Sequence, residues 1–213
     1  MKNLISILAF IFFLTGNLYS QNTEVIKLSA PDTSRGLPVM SALSKRASAS
    51  VFDEKEMNIK DISDLLWAAN GINRPESGKR TAASSYNAQD IDLYLFLKSG
   101  VFLYNPKEYQ LELKVSGDHR HLIATTQAFV NDSKQMILLV SDISRFKKGE
   151  ESEKLQWAAI DAGIVAQNIM LFCASEGFLS RPRVFMEKEK IRQVLNLSKD
   201  QHPVLNIPVS YKK

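Results

Sequence analysis

Residues 157–173, WAAIDAGIVAQNIMLFC, are apolar at almost every position and decide how the rest of the chain must be arranged. They lie inside residues 151–177, which we predict to form one long helix. The interruptions are Asp161, Gly163, Gln167 and Asn168. A helix that is apolar all round is buried on every side, and polar interruptions argue against a membrane span because each would need a partner in hydrocarbon. We therefore predict that this helix forms the core of a single domain.

The apolar pattern of the same helix also predicts that a second subunit packs against it. A chain of 213 residues has one modest core to offer, so part of a helix that is apolar on all sides should face a partner chain. Gly163, with Ala159 and Ala166 near it on the helix, would permit close approach of two backbones. We therefore expect a homodimer with a large apolar interface.

Outward from this helix, helical and strand patterns are mixed along the chain. The predicted helices are 37–43, 61–69, 119–129, 151–177 and 188–195, and the predicted strands are 91–97, 101–104, 111–115, 136–140, 184–186 and 204–209. Turn residues separate the first three strands, which indicates an antiparallel hairpin or meander. The run at 136–140, MILLV, is typical of a buried central strand. Helices mixed with hairpins give the α+β class.

The N-terminus has the pattern of a secretory signal. A charged start is followed by an apolar run at 4–14, which is shorter than the roughly 20 residues that span a membrane. We therefore assign residues 1–20 to a signal peptide, with an uncleaved anchor as the alternative, and expect no stable membrane span after its removal. Residues 21–38 form an extended, poorly packed lead-in, and residues 39–213 form the domain. We expect the protein to be exported, to the periplasm or the medium.

Charge and missing motifs exclude several function classes. The formal net charge of +4 includes no long basic block, so we expect no nucleic-acid partner. His119 and His121 lack cysteines or carboxylates at metal-ligand spacing, and no metal site is predicted. Cys173 is the one cysteine, so no internal disulfide forms. Ser144 and Lys147 match Ser-x-x-Lys, but we favour a solvated turn over a serine acyl enzyme because so short a pattern arises by chance.

A crowded polar loop at residues 80–90, RTAASSYNAQD, leads directly into the strand at 91–97. Two serines, two carboxamides and a guanidinium on a loop delivered by a stiff strand suit a planar polar ligand that needs fixed donors and acceptors. The loop is therefore a candidate cofactor site. The alternative is a polar connection whose serine and asparagine side chains satisfy the backbone of a turn.

A second candidate lies at residues 45–50, Lys-Arg-Ala-Ser-Ala-Ser. Arg46 offers a planar fork of donors that matches phosphate oxygens, and Ser48 and Ser50 add hydroxyls on one side of an extended segment. This predicts a phosphate clamp. The alternative is a solvated helix end in which the basic residues complement the helix dipole.

Three pieces of this sequence together resemble the nitroreductase family of flavin enzymes, and its small branch that includes dehydrogenases oxidising azoline rings. Residues 45–48 resemble the family's Arg-x-Ser element. Residues 83–89, Ala-Ser-Ser-Tyr-Asn-Ala-Gln, resemble its loop Pro-Ser-Ser-x-Asn-x-Gln-Pro, which is the most specific match. The long helix and residues 174–178 resemble its dimer-forming core helix. The resemblance covers residues 44–209.

The resemblance implies the remaining expectations. Residues 39–213 become a nitroreductase-like FMN-binding domain with a central, mainly antiparallel sheet flanked by helices, in a homodimer whose two FMN sites each draw on both chains. The resemblance implies that the cofactor-binding residues are Arg46, Ser48, Ser50, Ser84, Ser85, Asn87, Gln89 and Arg183. Arg46 and Ser48 would hold the phosphate, Asn87 and Gln89 the flavin ring, and the loop serines would come from the partner. No catalytic acid, base or nucleophile is implied.

The implied reaction is a two-step hydride transfer, in which NAD(P)H or an organic donor reduces FMN and a nitroarene, quinone or similar small molecule reoxidises it. This sequence also departs from the family pattern. Ala83 and Asp90 replace the two loop prolines, and Ser210 replaces a glycine. Arg183 or the terminal lysines would supply a second phosphate cation. An inward-pointing Asp90 would disfavour an anionic reduced ring. The alternative is therefore a non-catalytic flavin-binding or interaction protein on the same fold.

Overall fold

A seven-stranded antiparallel sheet runs through the middle of the fold, and helices cover both of its faces. The computed structural model describes residues 24–212. The predicted signal peptide at 1–20 therefore lies outside the described residues, as do the first three residues of the predicted lead-in. Strands and helices are mixed along the chain, which confirms the predicted α+β class with a central antiparallel sheet.

The strands and helices within residues 24–212 have the following bounds. The strands are β1 (Val25–Lys27), β2 (Ile72–Arg74), β3 (Lys79–Arg80), β4 (Ile91–Phe96), β5 (Gly100–Asn105), β6 (Gln110–Ser116), β7 (Gln135–Asp142), β8 (Leu179–Ser180) and β9 (Gln201–Ser210). The helices are α1 (Val39–Lys45), α2 (Ile59–Asn70), α3 (His121–Ala124), α4 (Glu151–Glu176) and α5 (Lys188–Val194). The order across the sheet is β1-β6-β5-β4-β7-β9-β8, and β2 with β3 forms a separate hairpin.

Strand β7 lies inside the sheet because its sequence is apolar on both faces. Every side chain from 136 to 140 is buried. β7 pairs with β4 on one side and β9 on the other, with Ile137 opposite Leu95 and Ile207. Alternate side chains enter the cluster under α2 and α4 and the cluster under α3 and α5. The predicted central strand is confirmed.

Helix α4 begins and ends at strong local signals. Glu150 and Glu153 form a capping box at its start, and Gly177 ends it with a φ of 74°, which glycine adopts without steric cost. One side of the helix packs on α1, α2 and the sheet. Its length and its mean hydropathy of 1.4 would also allow it to cross a membrane, but core helices of soluble proteins share these values.

The other face of α4 is not covered by the rest of the described chain. Ile160 is 58% exposed, Leu155 is 39% exposed, and Gly163 is also exposed. Within the described chain the fold supplies packing partners for one side of the helix only, and burial of the other side by a second subunit stays a prediction. The exposed residues of α4 are polar in its first turn and at Gln156, and apolar or small at Leu155, Ala159, Ile160 and Gly163.

Helix α2 begins at Ile59, two residues before the predicted start, because Asn58 caps it. The Asn58 side chain accepts a hydrogen bond from the backbone N–H of Asp61 at 2.9 Å. The predicted apolar face is confirmed as buried, and its members are Ile62, Leu65, Leu66 and Ala69.

Replacing Asn58 by Ala is expected to lower the free energy of unfolding by about 1 kcal/mol, because a backbone donor at the helix start loses its partner. Urea denaturation measures the change. Asn131→Ala is the matched control, since Asn131 is exposed and its side chain makes no hydrogen bond within residues 24–212. Equal losses in the two variants would show that the cap adds nothing.

The helix predicted at 119–129 is wrong in length. A single α-helical turn forms, α3, and Thr125 breaks it with φ 56° and ψ −128°, while Ala128–Val130 form a separate 3-10 turn. The Asp118 carboxylate does not cap a long helix. It accepts hydrogen bonds from the backbone N–H of Arg120, at 3.1 Å, and from the guanidinium of Arg120. The apolar residues Leu122 and Ile123 are buried in the sheet-facing cluster, and the threonines that follow are poor helix formers.

The strand predicted at 184–186 is also wrong. The sheet edge is formed earlier, by β8, and Arg183 makes one isolated bridge to Asn206. Pro182 lies between them and has no N–H to continue the ladder. The chain then leaves the sheet, and Val184 and Phe185 are exposed.

The lead-in packs more closely than predicted. Its residues 25–27 form β1, the edge strand beside β6, and Ile26 packs against the core. Arg35 forms ion pairs with Asp61 at 2.9 Å, with Asp64 at 2.6 Å and with Glu176. The expectation of poor packing therefore fails for residues 24–38, because an unpaired sheet edge and three carboxylates were available to them.

Candidate functional site

The loop 84–89 has an unusual backbone. Residues 85–87 form one 3-10 turn, and Tyr86, Asn87 and Gln89 all have positive φ, between 50° and 54°. Non-glycine residues adopt this region rarely and at a cost, so the surroundings must hold the loop in place. The Ser84 hydroxyl accepts from the Gln89 N–H at 2.9 Å.

Core helix α4 anchors the loop through Ser85. The backbone N–H of Ser85 donates to both carboxylate oxygens of Asp161, at 3.0 and 2.8 Å, and its hydroxyl donates to the same carboxylate at 2.9 Å. Asp161 is 1% exposed. A buried carboxylate on a rigid helix thus fixes the start of the loop.

Gln89 is held from the opposite side. Its side-chain oxygen accepts from Arg80 at 3.0 Å and its amide donates to the Gly78 carbonyl at 3.2 Å. The Arg145 guanidinium donates to the Gln89 backbone carbonyl at 2.8 Å. The Gln89 carboxamide, which was predicted to contact a flavin ring, therefore binds Gly78 and Arg80 at the start of the same loop.

Tyr86 and Asn87 are the residues that the loop presents outward. Both are exposed, and the Asn87 side chain makes no hydrogen bond to any described residue. The Tyr86 ring packs edge-on against Trp157 of α4, with centroids 4.9 Å apart, and Lys148 lies 4.1 Å from its centroid. The loop tip thus offers a free carboxamide beside an aromatic surface.

The second predicted segment, residues 46–50, lies along the end of the sheet. The Ala49 N–H donates to the Ser180 carbonyl at 3.0 Å, and Arg181 donates to the Ala49 carbonyl at 3.1 Å. The side chains of Arg46, Ser48 and Ser50 make no hydrogen bonds within the described chain. One guanidinium and two hydroxyls therefore remain available for a ligand.

A cavity of about 670 Å³ opens beside this segment. Such a volume is within the range of about 300–1,000 Å³ that small-molecule sites occupy. Its lining includes Lys45, Ala47, Met170, Gly177, Phe178 and Lys212. Glu176 also lines the cavity, and its carboxylate is paired with Arg35. The two ammonium groups, of Lys45 and Lys212, suit an anionic ligand, and Lys212 is one of the terminal lysines considered as a second phosphate cation.

Arg183 is placed differently from the other predicted phosphate ligands. It is 7% exposed and donates to the side chain of Gln127 at 2.8 Å, to the Ile123 carbonyl at 3.1 Å and to the side chain of Asn206 at 2.9 Å. Its hydrogen bonds are thus directed into the interior. Arg181, which sequence reasoning missed, is the arginine that contacts residues 46–50.

The two predicted halves of the site meet α4 at different positions. The loop contacts Asp161, whereas the cavity beside residues 46–50 is lined by α4 from Met170 to its C-cap Gly177. About 14 to 24 Å of helix separates Asp161 from this lining. Within one chain, the loop and the cavity therefore lie along different parts of α4.

Asp90 occupies the position where the resembled loop carries a proline. It is fully buried, and its carboxylate accepts from the Ser141 hydroxyl at 2.5 Å. Burial raises the pKa of Asp90 to about 7, with the Ser141 bond opposing the rise and Asp161 adding to it. The carboxyl points into the protein beneath the loop.

Two other reactive side chains among the described residues, Ser144 and Cys173, do not form a competing site. Ser144 is exposed and donates to Asp142 at 2.6 Å, so the Ser-x-x-Lys match is a solvated turn as predicted. Cys173 is buried, and burial raises the pKa of its thiol to about 12, which keeps it unreactive. Within residues 24–212, no group of His, Cys, Asp and Glu side chains could hold a metal ion.

Comparison with known proteins places this geometry in a family. The model described as the nitroreductase family matches residues 43–211. A crystal structure from Ralstonia eutropha, named as a nitroreductase, is 33% identical, covers 89% of this chain and 90% of its own, and superposes with a TM-score of 0.82. A Methanocaldococcus jannaschii protein, also named as a nitroreductase, is 21% identical over 198 residues, which are 89% of this chain and 98% of that protein.

A more distant structure has a different setting. A chain of the Escherichia coli microcin synthetase McbBCD complex, bound to truncated pro-MccB17, is 16% identical with a TM-score of 0.70. The match covers 100% of the present chain and 85% of the other. Likeness at this level of identity shows a shared fold.

Proposed function

Since this chain belongs to the nitroreductase family, we propose that it is an FMN-dependent oxidoreductase whose flavin sites form between two copies of the chain. Family membership supports flavin oxidoreductase chemistry in general. The dimer, the assignment of residues to the flavin and the choice of substrates are the parts that we propose.

One observation carries the shared site: the loop and the cavity beside residues 46–50 meet α4 about 14 to 24 Å apart. If two copies pair their exposed α4 faces about a two-fold axis perpendicular to the helix, the N-terminal half of one helix meets the C-terminal half of the other. The loop of one copy would then approach residues 46–50 of its partner. Two complete sites would result from two incomplete chains.

The exposed surface supports such pairing. Large apolar side chains are exposed on α1, on α4 and in the segment after β8, and they include Val39, Met40, Leu43, Leu155, Ile160, Val184 and Phe185. Helix α1 packs directly on α4, so its exposed residues extend the open face of that helix. An apolar surface of this kind is typical of an interface between subunits.

The free side chains fit the chemistry of FMN. Arg46, Ser48 and Ser50 would hold the phosphate, with Lys45, Lys212 or Arg181 as the second cation. Asn87 of the partner would bind the polar edge of the ring, since its carboxamide is free. When bound, the flavin supplies the hydride chemistry, which explains why this site needs no acid, base or nucleophile of its own.

We propose NAD(P)H or an organic hydride donor as the reductant and a nitroarene, quinone or similar small molecule as the oxidant. The open cavity beside residues 46–50 and the aromatic Tyr86 beside Asn87 suit planar compounds. We also propose export, which rests on the sequence pattern of residues 1–20.

The purified mature protein is expected to be yellow and to quench the fluorescence of added FMN with saturable, one-per-chain stoichiometry. NAD(P)H oxidation with a panel of quinones and nitroarenes then measures turnover. A colourless chain that leaves FMN fluorescence unchanged would contradict the proposal.

The placement of Gln89 and Arg183 favours one alternative, a flavin-binding or interaction protein without catalysis. Both side chains are committed to contacts within the protein, and a flavin would meet fewer ligands than the family pattern implies. In that case FMN binds, but no donor in the panel reduces it. Reduction by any donor would exclude this alternative.

A further inference from the structure

Two carboxyl groups are buried side by side beneath the loop 84–89. Asp90 is fully buried and Asp161 is 1% exposed, and the Asp161 carboxylate contributes to raising the pKa of Asp90. Asp161 accepts from the N–H and hydroxyl of Ser85, and Asp90 accepts from the hydroxyl of Ser141. The second Asp90 oxygen is buried without any hydrogen-bond partner among the described residues. Two ionised carboxylates so close and so buried would repel each other strongly.

The surrounding charges do not neutralise the pair. Arg145, on the turn after β7, interacts electrostatically with Asp90, but its guanidinium binds Asp92 of β4 at 2.5 and 3.0 Å and lies 3.4 Å from Asp142. Within residues 24–212, no lysine or arginine forms an ion pair with Asp90 or Asp161. A proton is therefore the available way to lower the charge of the pair.

We propose that Asp90 keeps a proton in the folded chain, and that the carboxyl pair of Asp90 and Asp161 is the positioning element of the loop 84–89. With the proton in place, Asp90 donates to Asp161, and Asp161 remains an acceptor for both donors of Ser85. Loss of the proton to solvent leaves two facing negative charges, and the carboxylate that anchors Ser85 is pushed away from Asp90. The loop, with three residues at positive φ, then loses the contact that holds it in its strained conformation.

The sign of the pH dependence follows from the direction of the pKa shift. Burial raises the pKa of Asp90 from 3.8 to about 7, with Ser141 opposing and Asp161 adding to the rise. The folded chain therefore holds a proton that the unfolded chain has released. The contribution of this pair to the free energy of unfolding should fall as the pH rises from about 4 to about 7, and it should stay constant above pH 7.

Trp157 provides a direct readout of the loop, because its ring contacts Tyr86. Replacing Trp67 by Phe leaves Trp157 as the only tryptophan of the chain. Titration of the full mature protein from pH 5.5 to 8.5 is expected to show one step in Trp157 fluorescence with a midpoint near 7. The variant Asp90→Asn, which is neutral and keeps a donor, should abolish the step and hold the loop at every pH.

A matched control and a second variant test the role of the pair. Asp142→Asn removes a carboxylate at the end of the same strand as Ser141, and the step should remain with its midpoint unchanged. Asp161→Asn removes the other member of the pair and should abolish the step. Absence of a step in the parent protein, or an unchanged step in Asp90→Asn, would overturn the proposal.

The consequence for the cofactor rests on the proposed function and is measured separately. If FMN binds the chain only with the loop in place, its affinity should fall about tenfold between pH 6 and pH 8 in the parent protein and stay constant in Asp90→Asn. A fluorescence step in a protein that binds no FMN would support the carboxyl pair and refute the flavin assignment. An FMN affinity that falls equally in both proteins would refute the pair as the cause.

Discussion

Replacing Gly163 by Leu is expected to give a folded monomer that has lost its FMN. In the single chain a side chain at position 163 meets open space, because no heavy atom lies within 4 Å of a Cβ built there. The protomer should therefore tolerate leucine and even gain about 1 kcal/mol of helix propensity. In the proposed dimer the leucine enters the interface from both copies, at about 1–3 kcal/mol for each overpacked side chain. Flavin should leave in parallel, since each site draws on both chains.

Sedimentation velocity at micromolar concentration, together with the flavin absorbance of the sedimenting species, measures this result. Gly163→Ala should remain dimeric because its extra methyl group is small. Gln193→Leu adds the same apolar side chain to the exposed surface of α5 and controls for non-specific effects. A parent protein that sediments as a monomer and retains FMN would contradict both the interface and the shared site.

Replacing Arg46 by Ala is expected to weaken FMN binding by about 2–4 kcal/mol, or roughly 30- to 800-fold, through loss of a charge-assisted contact to the phosphate. The fold should be unaffected, because the Arg46 side chain makes no hydrogen bond to the described chain. Riboflavin lacks the phosphate and should bind parent and variant equally, which distinguishes a phosphate contact from a general loss of the site.

Lys107→Ala provides the matched control for loss of one positive charge, since Lys107 is exposed at the turn between β5 and β6. It should leave FMN affinity unchanged. Unchanged affinity in Arg46→Ala as well would assign Arg46 to the solvated end of α1, the alternative that the sequence left open.

The sequence predicted the elements whose apolar patterns are strong. The central strand at 136–140 and the long helix α4 lie where predicted, because each is specified by its own residues. Predictions failed where distant contacts decide the structure. Residues 184–186 do not form the predicted strand because β8 already occupies the edge of the sheet beside β9. Strand β1 was not predicted because its partner, β6, lies more than 80 residues away in the chain.

The residue types of the site could be predicted from the sequence, but the directions in which the side chains point could not. Arg181 and Arg183 are two residues apart, a spacing that places both side chains on the same side of a regular strand, yet Arg181 contacts Ala49 whereas Arg183 contacts the interior. The sequence could not show this difference, because the chain is no longer a regular strand after β8 ends and Pro182 intervenes. The carboxyl pair was not foreseen, because Asp90 and Asp161 meet only once α4 packs beneath the loop. Positive φ at Tyr86 and Asn87 was equally hidden, since neither residue requires it.

The short outer strands of the sheet bear on aggregation. A long bare edge strand offers a row of unpaired N–H and C=O groups to other chains, and short covering strands are one way in which proteins avoid this. Here β1 has three residues and covers β6, while β8 has two and partly covers β9. Proteolytic loss of residues 24–28 would turn β6 into an open template for intermolecular sheet growth. The lead-in thus covers a sheet edge that other chains would otherwise extend, and this role is independent of the proposed flavin site.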